Sequence, residues 1–248
     1  MVTFILRLVR GGGGDELVKW APAGVVFRSA PMLGPLEWSP EGLRTMLDRI
    51  EQATKMAALG GADMIIQTGL PIGTANGIGT DKQIIEIMEK VSGLPCTTQI
   101  TAVVEALRYL EITKVIIVSG YFKETINQIL LKFMKDSGFE IVSALDLGME
   151  WRTPDGSHAP DTSQTADVSP YIYYRPSMSL YNKFPQAQGI VIAGGSTPQN
   201  DVIEPLETDL GVPVITQRSA ALWKVLNMVG TKESIPGLGR LLRRHSHK

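Results

Sequence analysis

The stretch that decides the fold is residues 189–201, GIVIAGGSTPQND. Residues 190–193 are apolar, which is typical of a buried parallel strand. Gly194, Gly195, Ser196 and Thr197 then form a turn, and the proline that follows suits the first position of a helix. A strand, a glycine turn and a helix in this order point backbone N–H groups beyond the sheet edge. The stretch therefore predicts a place where an anion binds.

A second copy of this arrangement lies earlier in the chain, at residues 63–73, DMIIQTGLPIG. Residues 64–67 predict a strand, residues 68–71 a turn, and a helix is expected after Gly79. Two such turns indicate two similar halves that face each other across one cleft.

Strands and helices alternate along the rest of the chain, and the same order occurs once before residue 112 and again after it. This pattern predicts an α/β protein with parallel sheets covered on both faces. We expect two pseudo-symmetric, doubly wound parallel-sheet lobes with the active site between them. The first lobe comprises residues 1–111 plus 217–248, and the second comprises residues 112–216.

Two local patterns refine the first lobe. Ser39 and Pro40 predict the start of a helix that continues to Leu59. The glycine-rich residues 10–14 are interpreted as a mobile turn rather than an anion-binding loop, because no Gly-Lys-Ser/Thr sequence follows them.

Residues 148–184 do not fit the alternation, because they are rich in Pro, Ser, Asp and Tyr. A loop of this length is usually a lid or an interface segment, and we expect an inserted lid. Its aromatic side chains suit either closure over a ligand or contact with a second subunit, so a homo-oligomer remains open.

The composition excludes several classes of protein. The net charge of −1 gives no reason to expect nucleic acid or a membrane as a partner. One cysteine and three histidines argue against a disulfide or a metal centre. No apolar run is long enough to span a bilayer and no signal peptide is evident, so we expect a cytoplasmic protein.

Several further segments complete a resemblance to a known family. With the two turns, the connection GLPCTT at residues 93–98 and the strand end IIVSGY at residues 116–121 are similar to the aspartate/glutamate racemase superfamily. Within it, the chain resembles the branch of arylmalonate decarboxylases and maleate cis–trans isomerases. Residues 39–42, 210–214 and 237–241 also match, in the family's order.

The resemblance implies an active site between the lobes, and in racemases and maleate isomerases a cysteine stands at each turn. Arylmalonate decarboxylases keep only the cysteine of the second turn, as proton donor. The matching positions here are Gly69 and Gly194. Cys96 matches a non-catalytic position and is expected to be a buried structural thiol. Catalysis through a cysteine is therefore not expected.

The resemblance also implies how a substrate carboxylate is bound. Tyr121 matches a tyrosine that donates to the carboxylate, which would be a charge-assisted hydrogen bond. The other predicted substrate-binding residues lie at the two turns or just before Tyr121: Gly69, Leu70, Gly120, Gly194 and Gly195. Leu70 and Pro71 replace hydroxyl residues of the decarboxylases, which makes this wall more apolar.

The group that replaces the thiols is left open between two places. Ser196 lies two positions beyond the matched cysteine, although it also suits a helix cap together with Thr197. His158, on the predicted lid, is the histidine outside the tail, and neighbouring lid carboxylates offer acids as well.

The sequence therefore predicts a cofactor-independent lyase that acts on a small carboxylic acid by decarboxylation or elimination, through an enolate-like intermediate. Its predicted catalytic residues are Tyr121, Ser196 and His158, and no metal or organic cofactor is expected. Two alternatives remain open: a hydrolase of a small amide or ring that uses a lid residue, and a non-catalytic protein that binds small acids.

Overall fold

The computed structural model describes residues 2–8, 13–32, 39–120, 124–147, 169–194, 198–231 and 233–243. The elements of the first half are β1 (Val2–Leu8), α1 (Gly13–Lys19), β2 (Val26–Met32), α2 (Pro40–Leu47), α3 (Ile50–Leu59), β3 (Met64–Gln67), α4 (Leu70–Gly73), α5 (Thr80–Ser92), β4 (Cys96–Thr98) and α6 (Gln99–Tyr109). The elements of the second half are β5 (Lys114–Ser119), α7 (Glu124–Asp136), β6 (Glu140–Asp146), α8 (Tyr174–Lys183), β7 (Gly189–Ala193), α9 (Ile203–Leu210), β8 (Val214–Thr216), α10 (Gln217–Met228) and α11 (Gly239–Arg243).

The strands form two parallel sheets with the same internal order. The first sheet has the order β2-β1-β3-β4, and the second has the order β6-β5-β7-β8. Each strand of the first sheet therefore has a counterpart in the second. This topology confirms the prediction of two pseudo-symmetric α/β lobes.

The strands that carry the two turns, β3 and β7, lie inside their sheets. Every residue of MIIQ in β3 and of GIVIA in β7 is buried. Helices cover both faces of a parallel sheet, which explains why these strands are apolar without alternation.

The start of α2 is as predicted, but its end is not. The Ser39 hydroxyl accepts the Gly42 N–H at 3.0 Å, and Pro40 is the first helical residue. Instead of continuing to Leu59, the helix ends at Leu47, and α3 begins at Ile50. The apolar periodicity runs through both helices, so it does not reveal the break.

The glycine-rich segment predicted as a turn contributes two residues to a helix. Gly13 and Gly14 lie in α1, which the sequence analysis missed. Glycine lowers the helical propensity of this segment. Packing of α1 against β2 and α10 therefore stabilises the helix where its intrinsic propensity is low.

The prediction of a single irregular segment over residues 148–184 is wrong for its last part. A 3₁₀ turn, Pro170–Tyr173, leads into α8, which packs against β5, β6 and α9. This helix is the crossover between β6 and β7. Its Ser177 and the last residue of the preceding turn, Tyr173, are completely buried. Residues 148–168, where the lid was predicted, lie outside the described residues.

The helices after residue 216 contact both halves of the molecule. α10 packs along α6 and against α1, whereas α11 packs against α9 and β8. The division of the chain at residues 111 and 217 stays a prediction. Within the described ranges, no helix is long and apolar enough to cross a membrane.

Candidate active site between the two turns

The two predicted turns follow the carboxyl ends of β3 and β7, at equivalent positions of the two sheets. Gly69 has a φ of +98° and Gly194 a φ of +86°. Such angles are strained for a residue with a Cβ atom but not for glycine. Glycine therefore fits the backbone that this structure gives to both turns.

Two glutamines hold the first turn. The Gly69 N–H donates to Oε1 of Gln99, with 2.8 Å between nitrogen and oxygen. From the other side, Nε2 of Gln67 donates to the carbonyl oxygens of Thr68 and, at 3.3 Å, of Gly69. The turn is thus fixed through both its N–H and its carbonyl groups.

Two other glutamines hold the second turn in the same way. The Gly194 N–H donates to Oε1 of Gln217 at 3.1 Å. Nε2 of Gln199 donates to the Gly194 carbonyl, to which the Tyr173 hydroxyl also donates at 3.3 Å. The pseudo-symmetry of the sheets therefore extends to Gln99 and Gln217, which begin the helices after β4 and β8, whereas Gln67 precedes its turn and Gln199 follows the other.

A single hydrogen bond joins the two sets of glutamines. Nε2 of Gln99 donates to the Gln217 carbonyl oxygen at 3.1 Å. Gln99 and Gln217 begin α6 and α10, the helices that pack along each other. Gly69 and Gly194 are consequently linked through the side chains of Gln99 and Gln217. A cleft between the lobes at these turns stays a prediction.

Three of the predicted substrate-binding residues have their backbone N–H groups engaged within the protein. The N–H groups of Gly69 and Gly194 bind glutamines, and the Gly120 N–H donates to the Ala193 carbonyl at 2.8 Å. The Leu70 side chain is completely buried in the core. A substrate carboxylate that uses the first two of these N–H groups must compete with a glutamine oxygen.

Cys96 does not lie at either turn. Cys96 begins β4, whereas the turns follow the carboxyl ends of their strands. Its side chain is 5% exposed, and Sγ donates to the Leu94 carbonyl at 3.3 Å. Burial raises the pKa of the thiol to about 11. The thiol is therefore protonated at neutral pH, which leaves it a poor nucleophile.

A buried carboxylate holds the segment that follows the second turn. Glu16 of α1 accepts the N–H groups of Gln199, at 3.0 Å, and of Asn200, at 2.8 Å. It also pairs with Arg218 at 2.6 Å, and the side chains of Arg218 and Glu16 are only 2% and 7% exposed. Helix α1, which the sequence analysis did not predict, thus holds the segment after the second turn in place.

A polar cluster lies at the carboxyl ends of β5 and β6, next to Gly120. The Ser119 hydroxyl donates to Oδ1 of Asn127, and Nδ2 of Asn127 donates to Asp146. Asp146 is exposed and pairs with Ser119 in the sheet, so a carboxylate faces solvent beside the end of β5. Sequence reasoning missed this cluster because its members come from three separate elements and form no motif.

A family model with the description arylmalonate decarboxylase matches residues 23–242. The chain belongs to the arylmalonate decarboxylase family. This assignment confirms the resemblance found in the sequence.

The similar proteins include two kinds of enzyme. An arylmalonate decarboxylase of Bordetella bronchiseptica is 24% identical over 204 residues, which cover 82% of this chain and 80% of that protein. A maleate isomerase of Nocardia farcinica is 23% identical over 214 residues, which cover 84% of this chain and 80% of that protein.

Solved structures of such enzymes share the fold. An unliganded arylmalonate decarboxylase has a TM-score of 0.81 and 21% identity, with 97% of each chain covered. The maleate cis–trans isomerase of Nocardia farcinica bound to TRIS has a TM-score of 0.85 and 20% identity, covering 100% of this chain and 99% of that one.

Four of the residues predicted for this family member's site lie outside the described residues: Tyr121, His158, Gly195 and Ser196. Their roles stay predictions. Among the described residues, no group of three or more His, Cys, Asp or Glu side chains is placed to hold a metal ion.

Proposed function

We propose that this chain is an enzyme that converts a small carboxylic acid between its two lobes without using a cysteine. The observation that carries this proposal is the pair of turns, which have glycine at both matched cysteine positions and are fixed by glutamine side chains. The buried, protonated Cys96 supports the same conclusion, because it begins β4 rather than lying at a turn.

The family supports the proposed class of substrate. The named relatives are an arylmalonate decarboxylase and a maleate isomerase, and both names refer to small dicarboxylic acids. A structure of the Nocardia farcinica enzyme contains a covalently bound succinylcysteine intermediate, which requires a reactive thiol. Because this chain has glycine at both turns, decarboxylation or elimination is favoured over isomerisation through a thiol adduct.

In the proposed decarboxylation, the bond from the α-carbon to one carboxylate breaks and CO₂ departs. The electron pair stays on the carbon as an enolate that is conjugated with the remaining acid. The hydroxyl of Tyr121 stabilises the developing negative charge, and the Gly69 and Gly194 N–H groups add to this where the substrate displaces their glutamine partners. An acid then returns a proton to the carbon, and Ser196 or His158 supplies it.

The test is incubation of the protein with arylmalonates, maleate and related dicarboxylic acids in D₂O, followed by proton NMR. Decarboxylation should yield a monoacid in which the former α-carbon carries deuterium. Neither conversion nor binding of any small dicarboxylic acid would contradict the proposal. A product formed only from an amide or a ring compound would favour the hydrolase instead.

One observation favours a second candidate, a non-catalytic protein that binds small acids. The N–H groups of Gly69, Gly120 and Gly194 are all engaged within the protein, which leaves fewer donors for a transition state. The same NMR experiment separates the two functions. A binder gives saturation transfer to the acid without conversion, whereas the enzyme gives product.

A further inference from the structure

We propose that Gln99 is a positioning residue that couples the two turns, so that a change at Gly69 alters the backbone at Gly194. The coupling runs from the Gly69 N–H through the Gln99 amide to the Gln217 carbonyl, and then through the Gln217 side chain to the Gly194 N–H. Its meaning for catalysis rests on the proposed function, whereas the coupling itself does not.

The position of Gln99 makes it suitable for this role. Gln99 and Gln217 are 3% and 5% exposed, so water does not readily replace a lost partner. The Gln99 amide is planar, and it uses its oxygen for Gly69 and its nitrogen for Gln217. A rotation that follows Gly69 therefore also moves the nitrogen away from the Gln217 carbonyl.

The start of α10 carries this movement to the second turn. The Thr216 hydroxyl accepts the Ser219 N–H at 2.9 Å, and the Ser219 hydroxyl accepts the Thr216 N–H at 3.0 Å. This capping box holds the first turn of α10 as a unit. A shift of the Gln217 backbone is therefore passed to its side chain and to Gly194.

Capping does not explain why glutamine stands at these positions. Thr98 caps α6 by accepting the Thr101 N–H at 3.1 Å, as Thr216 caps α10. The sequences at residues 98–101 and 216–219 are accordingly TQIT and TQRS. The threonine hydroxyls accept the N–H groups of the residues three positions later and so cap both helices. The glutamine side chains are therefore not needed for capping and bind the glycine turns instead.

The test is hydrogen exchange of single backbone amides, followed by NMR in the protein without ligand. Gln99→Glu, measured at a pH where its carboxylate is ionised, keeps an acceptor for the Gly69 N–H but loses the donor to Gln217. We expect exchange at Gly194 to rise by about tenfold, as for the loss of one buried hydrogen bond, while Gly69 changes little.

Gln217→Leu provides the reverse experiment. It removes the acceptor of the Gly194 N–H but keeps the carbonyl that Gln99 binds. Exchange should therefore rise most at Gly194 and, because coupling between two sites is reciprocal, to a smaller extent at Gly69. Unchanged exchange at Gly69 would contradict the proposed coupling.

A matched control separates coupling from general loss of stability. Thr54 in α3 is buried, and its hydroxyl donates to the Ile50 carbonyl at 2.7 Å, away from both turns. Thr54→Val should leave exchange at Gly194 unchanged. If Gln99→Glu has no more effect at Gly194 than Thr54→Val, the turns are independent and the inference is wrong.

A kinetic experiment then connects the coupling to catalysis. With a converted acid in hand, Gln99→Glu should lower kcat more than it changes KM, because misplaced turns stabilise the transition state less well. Altered exchange without altered kinetics would keep the coupling but remove its catalytic role. If no acid is converted, the exchange experiment still decides the coupling.

Discussion

Nε2 of Gln99 lies 3.1 Å from the carbonyl oxygen of Gln217, and this hydrogen bond joins the first residues of two helices from different halves of the chain. Each of these residues also holds the N–H of a glycine turn, at Gly69 or Gly194. The helix pair α6 and α10, rather than the sheets alone, therefore sets the two halves of the candidate site against each other.

The buried ion pair of α1 should contribute strongly to stability. Glu16→Ala leaves the charge of Arg218 in a buried site and removes the acceptor of two backbone N–H groups. We expect the free energy of unfolding to fall by about 3–5 kcal/mol. Urea denaturation measures this loss.

The control for this prediction lies on the same helix. Lys19 pairs with Asp201 at 2.8 Å, but both side chains are well exposed. Lys19→Ala should cost less than about 1 kcal/mol. Equal losses of unfolding free energy for Glu16→Ala and Lys19→Ala would show that burial does not determine how much an ion pair contributes to stability here.

Gly73 is needed for the contact between α4 and α6. A Cβ atom at this position would lie 2.6 Å from Cγ2 of Ile100. Gly73→Ala should therefore destabilise the protein by about 1–3 kcal/mol, the usual cost of overpacking. Ile100→Leu removes the branch at Cβ and should recover part of the loss, which a double-mutant cycle measures. Strictly additive losses would rule out this clash as the cause.

The raised pKa of Cys96 predicts a specific dependence of stability on pH. The ordinary thiol pKa is 9.0, and burial raises it to about 11 in the folded protein. Between these values the unfolded chain loses the thiol proton while the folded chain keeps it, so folding becomes less favourable as the pH rises. The stabilisation is fully present below pH 9 and lost by pH 11.

Comparison with Cys96→Ala isolates this effect, because the other titrating groups are common to both proteins. The free energy of unfolding of the wild type should fall by on the order of 2 kcal/mol more than that of Cys96→Ala over this interval. The free energy of unfolding of both proteins is measured by urea denaturation across this pH range. If it falls equally with pH in both, the thiol has its ordinary pKa in the folded protein.

Tyr121 is predicted to donate to the substrate carboxylate. Tyr121→Phe removes this donor and keeps the ring, so binding or turnover should weaken by about 1.5–3 kcal/mol, the range for a hydrogen bond to a charged group. Kinetics with the converted acid provide the measurement. Tyr109→Phe serves as a control, because Tyr109 packs on Trp223 at the opposite end of α6 from Gln99. Unchanged kinetics would remove Tyr121 from the site.

Much of the fold could be predicted because its signals are local. The apolar residues of β3 and β7, the glycine turns and the Ser39 cap are all visible within a few residues of sequence. The two copies of the strand–turn–helix unit were enough to predict two similar lobes.

The features that escaped prediction depend on contacts between distant residues. α1 begins with two glycines, which do not predict a helix. Glu16 forms an ion pair with Arg218, which lies 202 positions later in the chain. The bond from Gln99 to Gln217 likewise spans 118 positions. Local propensity contains no information about such partners. The sequence therefore placed the two turns but missed the side chains that hold them.

Turnover by a protein without any thiol decides whether the chemistry is independent of cysteine. The dicarboxylic acid that the wild type converts is given to Cys96→Ala, and the initial rates are compared while circular dichroism verifies folding. We predict equal rates within about twofold, because loss of a structural side chain away from the reacting atoms does not change transition-state binding. A folded Cys96→Ala protein that has lost its activity would show that the thiol takes part in the reaction.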